Sequence, residues 1–226
     1  MACEIAIIDS GINSRHSHVG RVAGGVGFFV DTMGNIEKSG DYSDHIGHGT
    51  AIAGIIRENN PQAELIAVKI FSTELRASLA QLIAALEWAI ERNIKIIHLS
   101  LGIYAGEGRE LLLSLCKKAA DQNQIIIASG RRFGGLTFPA AFDSVVGVCK
   151  DDSLDKNEIS FDVDNSIEFA ACGFARTIPG IPREANFRGH SFAAARLTAR
   201  VAEIVESEPD ISVLDVKKIL KQQSHC

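Results

Sequence analysis

The sequence predicts an α/β protein with a mostly parallel sheet and helices on both of its faces. Short apolar runs of strand length recur along the 226 residues, and segments with helical spacing of apolar residues separate most of them. The runs are apolar on both faces, which is typical of strands inside a parallel sheet. Alternation of the two patterns predicts the α/β class.

Each predicted strand is an almost uninterrupted run of apolar residues, and β-branched residues dominate most of the runs. The first starts beside the amino terminus and ends at an aspartate, and the others follow predicted helices or loops. In chain order the strands are Glu4–Ile8, Glu64–Val68, Ile94–Leu99, Gln124–Ala128 and Ser144–Val148.

Each predicted helix carries apolar residues at i, i+3 and i+4. This stripe is clearest from Leu79 to Ile90, and the fourth helix begins with the small residues Ala193–Ala195. In order the helices are Thr50–Arg57, Leu75–Arg92, Glu107–Gln122, Ser191–Ser207 and Val213–Gln222. The stretches 20–40 and 175–189 are expected to be irregular. A single domain over 1–226 is expected.

Composition excludes several classes of function. The net charge is −5 and no long run of one sign occurs, so we expect no nucleic-acid partner and no membrane partner. No signal peptide, pro-segment or membrane span is expected from the sequence. The five cysteines are widely spaced and form no Cys-x-x-Cys pair, which predicts reduced thiols and a cytoplasmic protein.

Three polar residues lie where predicted strands end or helices begin. Asp9 directly follows the first strand, His48 precedes the first helix between two glycines, and Ser191 opens the fourth. They supply an acid, a base and a nucleophile, although each alone is more often a helix or turn cap.

The sequence around these residues resembles the subtilases, the subtilisin-like serine proteases. The matching blocks are Ile5–Ile12 (IAIIDSGI), Gly47–Gly54 (GHGTAIAG) and Gly189–Ala193 (GHSFA). They occur in the family's order of Asp, His and Ser. Similarity continues between the blocks, through His98–Gly102 (HLSLG) and Phe138–Ala140 (FPA). The resemblance implies a three-layer subtilisin-like fold.

The resemblance also implies roles for individual residues. Asp9, His48 and Ser191 would form a catalytic triad, with an oxyanion site made by the Ser191 amide and the residue at 131. An extended peptide would bind between two strand ends. The residues expected to bind it are Ser100, Leu101, Gly102, Ser129, Gly130, Arg132 and Thr137. No cofactor or metal, including calcium, is expected. The implied function is a serine endopeptidase, which we interpret as one that selectively processes a peptide or protein precursor.

Several positions depart from the family pattern. Arg131 stands where the family has its asparagine oxyanion donor, His190 where it has threonine, Phe192 where it has methionine, and His98 where it has asparagine. An arginine has donors that could replace the asparagine if they reach the oxyanion. If Arg131 and Arg132 both face the site, an acidic or polar side chain is expected beside the cut bond.

Three alternatives remain open at this stage. A zinc site could involve Asp41, Asp44, His45 and His48, with His16 and His18 nearby. The glycine run at 24–27 could be a weak phosphate loop. The departures at Arg131 and around Ser191 also allow a subtilase-like protein that has lost catalysis and acts as a peptide-binding or regulatory partner.

Overall fold

Strands and helices alternate along the chain as the hydrophobic pattern predicts. The computed structural model describes residues 2–104, 106, 108–132 and 134–224. The strands are β1 (Glu4–Asp9), β2 (Gly24–Val30), β3 (Ile36–Ser39), β4 (Glu64–Lys69), β5 (Ile96–Leu99), β6 (Ile125–Ser129), β7 (Val146–Lys150), β8 (Ile159–Phe161) and β9 (Phe169–Ala171). The helices are α1 (His48–Asn59), α2 (Leu79–Glu91), α3 (Arg109–Asp121), α4 (His190–Ser207) and α5 (Val213–Gln223), with a 3₁₀ turn at Arg183–Ala185.

One sheet organises these elements in the order β3-β2-β4-β1-β5-β6-β7-β9-β8. Its inner strands pair in parallel, and only β3 and β8, at the two edges, pair antiparallel. The core on one face packs α1, α4 and α5 against the sheet, and the core on the other packs α2 and α3. The predicted fold class, a mostly parallel sheet between two helical layers, is therefore confirmed.

The sequence predicted an irregular stretch at residues 20–40. That prediction is wrong, because these residues contain β2 and β3. Glycines interrupt the apolar pattern of β2, so the sequence pattern did not indicate a strand there. The structure shows why they are needed: a Cβ at Gly25 would lie 2.6 Å from the Ala67 carbonyl oxygen, and one at Gly27 would lie 2.4 Å from that of Asp41. The glycine run at 24–27 is therefore a strand against which backbone packs closely, not a phosphate loop.

The second helix begins later than the predicted Leu75. Ser78 caps α2, since its hydroxyl accepts the Gln81 N–H while the Gln81 side chain accepts the Ser78 N–H. Such a capping box satisfies two free backbone donors at a helix start. The residues before Ser78, including Leu75, therefore lie outside the helix. Glu107, the predicted start of the third helix, lies outside the described residues.

The cysteines within the described part of the chain are free thiols, and all four are buried: Cys3, Cys116, Cys149 and Cys172. Burial raises the pKa of Cys3 and of Cys116 to about 12. These side chains therefore behave as small apolar core residues. None of the helices within the described residues combines the length and the apolar character needed to cross a bilayer.

Candidate active site

The candidate site lies where β1, β5 and β6 end and where α1 and α4 begin. Parallel strands bring their carboxyl ends to one edge of the sheet, so loops and helix starts meet there in a crevice. Asp9 is the last residue of β1, and His48 is the first residue of α1. Ser191 is the second residue of α4. Three residues far apart in sequence thus converge on one edge.

Asp9 and His48 form a buried pair. The His48 Nδ1 atom lies 2.8 Å from Asp9 Oδ1 and 2.9 Å from Oδ2. Asp9 is 0% exposed and His48 is 6% exposed. Since the Asp9 carboxylate only accepts hydrogen bonds, the pair fixes the proton of a neutral His48 on Nδ1 and leaves Nε2 as the free base.

The backbone around this pair is fixed by a second set of hydrogen bonds. The Ser10 N–H donates to Asp9 Oδ1 at 2.7 Å, and the Ser10 hydroxyl accepts the Gly49 N–H at 2.9 Å. The Ser10 hydroxyl in turn donates to Asp44 Oδ1 at 2.9 Å. A Cβ at Gly49 would lie 2.2 Å from the Gly11 carbonyl oxygen. Glycine at this position lets α1 start directly against the end of β1.

The electrostatics of the pair favour the charged forms of both groups. Burial alone would raise the pKa of Asp9, but the charge and hydrogen bond of His48 hold it below its usual value. Burial alone would lower the pKa of His48, but the charge and hydrogen bond of Asp9 raise it. The arrangement stabilises an imidazolium, which is what a general base becomes after it takes a proton.

Ser191 lines the same cleft as His48 and lies at the amino end of an 18-residue helix. Its hydroxyl donates to the Ser100 carbonyl oxygen at 3.2 Å. The first N–H groups of a helix have no partner within the helix, and the positive end of the helix dipole lies there. The Ser191 hydroxyl is thus half-buried beside a region that favours negative charge.

The residues predicted to bind an extended peptide line one cleft, with a single exception. This cleft has a volume of about 390 Å³. It is lined by His48, Leu75, Ser100, Leu101, Gly102, Tyr104, Ser129, Gly130, Arg131, Thr137 and Phe187–Phe192. The walls combine two strand ends, as expected, with an aromatic wall that the motifs did not reveal.

Arg132 is the exception, and its predicted place at the cleft is wrong. Its guanidinium donates to the carbonyl oxygens of Ile167 at 3.1 Å and Glu168 at 3.0 Å, and it lies 3.8 Å from the Asp162 carboxylate. The side chain is 17% exposed. These carbonyl groups of the β8–β9 connection hold the guanidinium away from the residues that line the cleft. The expected two-arginine rim is therefore absent from the described residues.

Arg131 and His190 are the polar side chains beside Ser191 that depart from the family pattern, and both line the cleft. Arg131 is exposed. The Lys150 N–H donates to His190 Nδ1 at 3.1 Å, so a neutral His190 carries its proton on Nε2. Burial lowers the pKa of His190, and the positive charges of Lys150 and Arg131 lower it further. Arg131 thus provides a charged nitrogen donor in the lining of the cleft, and His190 provides a neutral one.

Aromatic residues that sequence reasoning did not assign to the site enclose His48. The ring centroid of Phe192 lies 5.2 Å from that of His48, and the centroid of Phe187 lies 6.2 Å away. Phe192 lies within the Ser191 block, so its position near the site was accessible from the sequence. Phe187 comes from an irregular stretch that carries no periodic signal, and nothing in the pattern marks it.

Two residues of the alternative zinc site, Asp44 and His48, are engaged in other hydrogen bonds. Asp44 accepts hydrogen bonds from the Ser10 hydroxyl and from the backbone and hydroxyl of Thr50, and from the N–H groups of Ile46 and Gly47. It therefore organises the loop that leads into α1. Among the described residues, no group of three or more His, Cys, Asp or Glu side chains is arranged to hold a metal ion.

Comparison with known proteins gives a consistent result. The model of the subtilase family matches residues 2–225. The chain is 30% identical to a thermostable alkaline protease of Halalkalibacterium halodurans and 27% identical to Subtilisin NAT of Bacillus subtilis subsp. natto, over 90% and 91% of its length. It covers only 56% of each of these relatives. It is also 27% identical to Subtilisin DY of Bacillus licheniformis, over 96% of this chain and 81% of that protein.

Proposed function

This chain belongs to the subtilase family, and on that premise we propose that it is a serine endopeptidase with Asp9, His48 and Ser191 as its catalytic triad. The observation that carries the proposal is the buried Asp9–His48 pair, which leaves His48 Nε2 free at a cleft that also contains Ser191. A neutral serine hydroxyl is a weak nucleophile and needs such a base.

Peptide binding would prepare the nucleophile. A peptide strand added beside Ser100–Gly102 would offer an N–H to the Ser100 carbonyl. In the structure that carbonyl accepts a hydrogen bond from the Ser191 hydroxyl. Once a substrate N–H takes this place, the hydroxyl is released to donate to His48 Nε2. Substrate binding and alignment of the nucleophile are therefore coupled through one carbonyl group.

The reaction follows from these positions. The Ser191 oxygen attacks the peptide carbonyl while its proton passes to His48 Nε2, and Asp9 stabilises the resulting imidazolium. The oxyanion accepts hydrogen bonds from the Ser191 N–H and from Arg131. His48 then gives the proton to the leaving amine, which leaves an acyl group on Ser191. Water activated by His48 releases the acid and restores the hydroxyl.

We further propose that the substrate is a particular peptide or protein precursor and that cleavage occurs in the cytoplasm. The four buried free thiols support a reducing compartment. The cleft of about 390 Å³ supports selective over bulk digestion, because it is walled by Phe187 and by the departing residues Arg131 and His190. A cleavage profile with the purified protein on a peptide library would show one dominant sequence.

The decisive experiment is labelling with a fluorophosphonate together with hydrolysis of a peptide mixture. The parent chain should be labelled and should hydrolyse peptides, and Ser191→Ala should do neither while it unfolds at nearly the same temperature. Ser114→Ala, at an exposed serine of α3, is the matched control and should behave as the parent. Hydrolysis that persists in Ser191→Ala would refute the assignment. Chelation with EDTA should leave the rate unchanged.

A second candidate is a peptide-binding or regulatory protein without catalysis. The observation that favours it is the Ser191 hydroxyl, which is directed to the Ser100 carbonyl and not to His48. The same labelling experiment separates the two functions. A parent chain that binds peptides in its cleft but is neither labelled nor hydrolytic would be a regulatory protein.

A further inference from the structure

Asp152, two residues after β7, accepts several hydrogen bonds beside the block that contains Ser191. Its Oδ2 atom accepts hydrogen bonds from Lys150 Nζ at 2.7 Å and from Arg188 Nε at 2.7 Å, and Arg188 Nη2 donates to the same oxygen. Its Oδ1 atom accepts the Gly173 N–H at 3.3 Å. The side chain is only 15% exposed. The proposed reaction gives this carboxylate no part.

Two routes connect Asp152 to Ser191. The first is the side chain of Arg188, a residue three positions before Ser191. The second is the backbone of Gly173, whose N–H donates to Asp152 and whose carbonyl oxygen accepts the Gly189 N–H at 2.8 Å. Gly189 directly precedes α4. Both routes therefore end at the residues that lead into the start of this helix.

The segment that enters α4 has little regular structure of its own. Between β9 and α4, where every residue is described, the only helix or strand is the 3₁₀ turn at Arg183–Ala185. The two ends of this segment are joined by the Gly189–Gly173 hydrogen bond and by one from the Ala175 N–H to the Phe187 carbonyl oxygen at 3.0 Å. Asp152 ties both of these ends to the end of β7.

The approach of the carboxylate to this segment is close. A Cβ at Gly173 would lie 2.9 Å from Asp152 Oδ1 and 3.2 Å from the Gly189 carbonyl oxygen. A Cβ there would also lie 2.7 Å from the Lys150 Cβ. Glycine at 173 therefore lets the carboxylate, the end of β7 and the entry to α4 meet at one residue.

The charge of Asp152 is what allows it to hold all of its partners. Partial burial alone would raise its pKa, but the hydrogen bonds and charges of Lys150 and Arg188 hold the pKa below its usual value. An ionised carboxylate accepts at both oxygens, and hydrogen bonds to a charged acceptor are the stronger ones. An asparagine in its place would turn its NH₂ group toward either the Gly173 N–H or the two cations.

We propose that Asp152 is a positioning residue that holds the Ser191 N–H where it meets the oxyanion, and that it acts through Arg188 and Gly173. Oxyanion donors act over a narrow range of distances, about 2.7 to 3.1 Å. Asp152 itself is not among the residues that line the cleft. Its effect on rate rests on the proposed function, whereas its effect on the placement of Ser191 does not.

The placement of Ser191 can be followed without catalysis. In the full chain labelled with ¹⁵N, the backbone amide signals of Gly189 and Ser191 should shift in Asp152→Asn. Asp151→Asn is the matched control, because it removes the same charge from the neighbouring residue, whose Oδ1 atom accepts the Ser153 N–H and hydroxyl. Both signals should keep their positions in this control. A Ser191 signal that does not move in Asp152→Asn would overturn the proposal.

Two substitutions test the consequence for rate. In Asp152→Asn, kcat should fall about tenfold with KM nearly unchanged, the size expected for one hydrogen bond to a charged group, because a displaced oxyanion donor acts mainly on the transition state. Inhibition by a peptide aldehyde, whose tetrahedral adduct with Ser191 places an oxygen at the oxyanion site, should weaken by a similar factor. Arg188→Gln should lower kcat about threefold, as for an exposed ion pair.

The double variant tests whether the two residues act together. Since Arg188 acts on the segment through Asp152, the double variant should be about as slow as Asp152→Asn alone, and Asp151→Asn should keep the kcat of the parent. If Asp152→Asn only lowers the unfolding temperature, if it changes KM and leaves kcat, or if the two losses multiply, the proposal is wrong. A parent chain that hydrolyses no peptide would refute the proposed function, and the amide signals would still decide the placement of Ser191.

Discussion

The side of the cleft formed by Asp9 and His48 differs in construction from the side formed by Ser191 and Arg131. Asp9 and His48 are buried, and their mutual hydrogen bonds are 2.8 to 2.9 Å long. Ser191 is half-buried with a hydroxyl bond of 3.2 Å to a carbonyl, and Arg131 is exposed. The proposed base is thus held by short, buried hydrogen bonds, whereas the proposed nucleophile and oxyanion donor are less buried and less tightly held.

This difference accounts for two of the four departures from the family pattern, whereas the other two, at His98 and Phe192, are buried. The acid–base side matches the family blocks, because a buried pair in contact with Gly49 and Ser10 leaves little room for other side chains. The departures at Arg131 and His190 lie on the other side, where exposed or half-buried groups face the open cleft. Under the proposed function, changes there would alter which donors reach the oxyanion.

The largest effect is expected on the buried side. Asp9→Asn removes the acceptor that fixes the His48 tautomer, so kcat should fall about 10⁴-fold, as for comparable triads. Asp121→Asn, at an exposed carboxylate, is the control and should match the parent. The measurement is steady-state hydrolysis of a fluorogenic peptide. An Asp9→Asn chain with near-normal kcat would show that the pair is not catalytic.

A smaller loss should follow from disturbing the contact that places His48. Gly49→Ala forces a Cβ to within 2.2 Å of the Gly11 carbonyl oxygen, so the start of α1 must shift. A displacement of about 1 Å can lower the rate about 100-fold. Gly24→Ala is the control, since its Cβ would meet no atom of the described residues within 4 Å. Equal kcat/KM in both variants would contradict the proposed rigidity.

The adjustable side should respond less. Arg131→Ala should lower kcat about tenfold with a small change in KM, because the lost donor acts mainly on the oxyanion and comes from an exposed side chain. Arg132→Ala is the matched control: it should leave kcat unchanged but lower the unfolding temperature, since Arg132 holds the Ile167 and Glu168 carbonyls. If Arg131→Asn raises activity well above the parent, Arg131 hinders the reaction.

The smallest effect near neutral pH should come from titration of His48. Burial opposes its charge, but Asp9 outweighs burial and raises the pKa above the usual 6.5. A protonated His48 cannot accept the Ser191 proton, so kcat/KM should fall as pH is lowered through this raised pKa, and at about pH 6.5 it should be below half of its value at about pH 9. His190→Gln should leave the position of this limb unchanged. If the acid limb shifts in His190→Gln, the limb belongs to a group on the Ser191 and Arg131 side of the cleft and not to His48.

The sequence could predict the parts of the molecule that have a local signature. The apolar runs identified β1 and β4 to β7, and the blocks around Asp9, His48 and Ser191 identified the residues that the fold gathers at one edge. The glycines of β2 weakened its apolar pattern, so that strand was missed. Short edge strands such as β8 have too few residues for a periodic pattern.

The directions of the side chains at the site could not be predicted from the sequence and required the structure. Arg131 and Arg132 are adjacent in sequence, but only Arg131 faces the cleft, because Arg132 is drawn to carbonyl groups some 35 residues further along the chain. His98 stood out only as a departure from the family. Its hydrogen-bond partner Thr198 is 100 residues away, and no local pattern connects them.

The four buried thiols can report on local opening of the fold. Cys3, Cys116, Cys149 and Cys172 lie in or beside β1, α3, β7 and β9, so they sample both faces of the sheet. An alkylating reagent reaches each thiol only when its surroundings open. The rate of modification at each position therefore measures the local free energy of opening, and it can be followed by mass spectrometry without introducing a label.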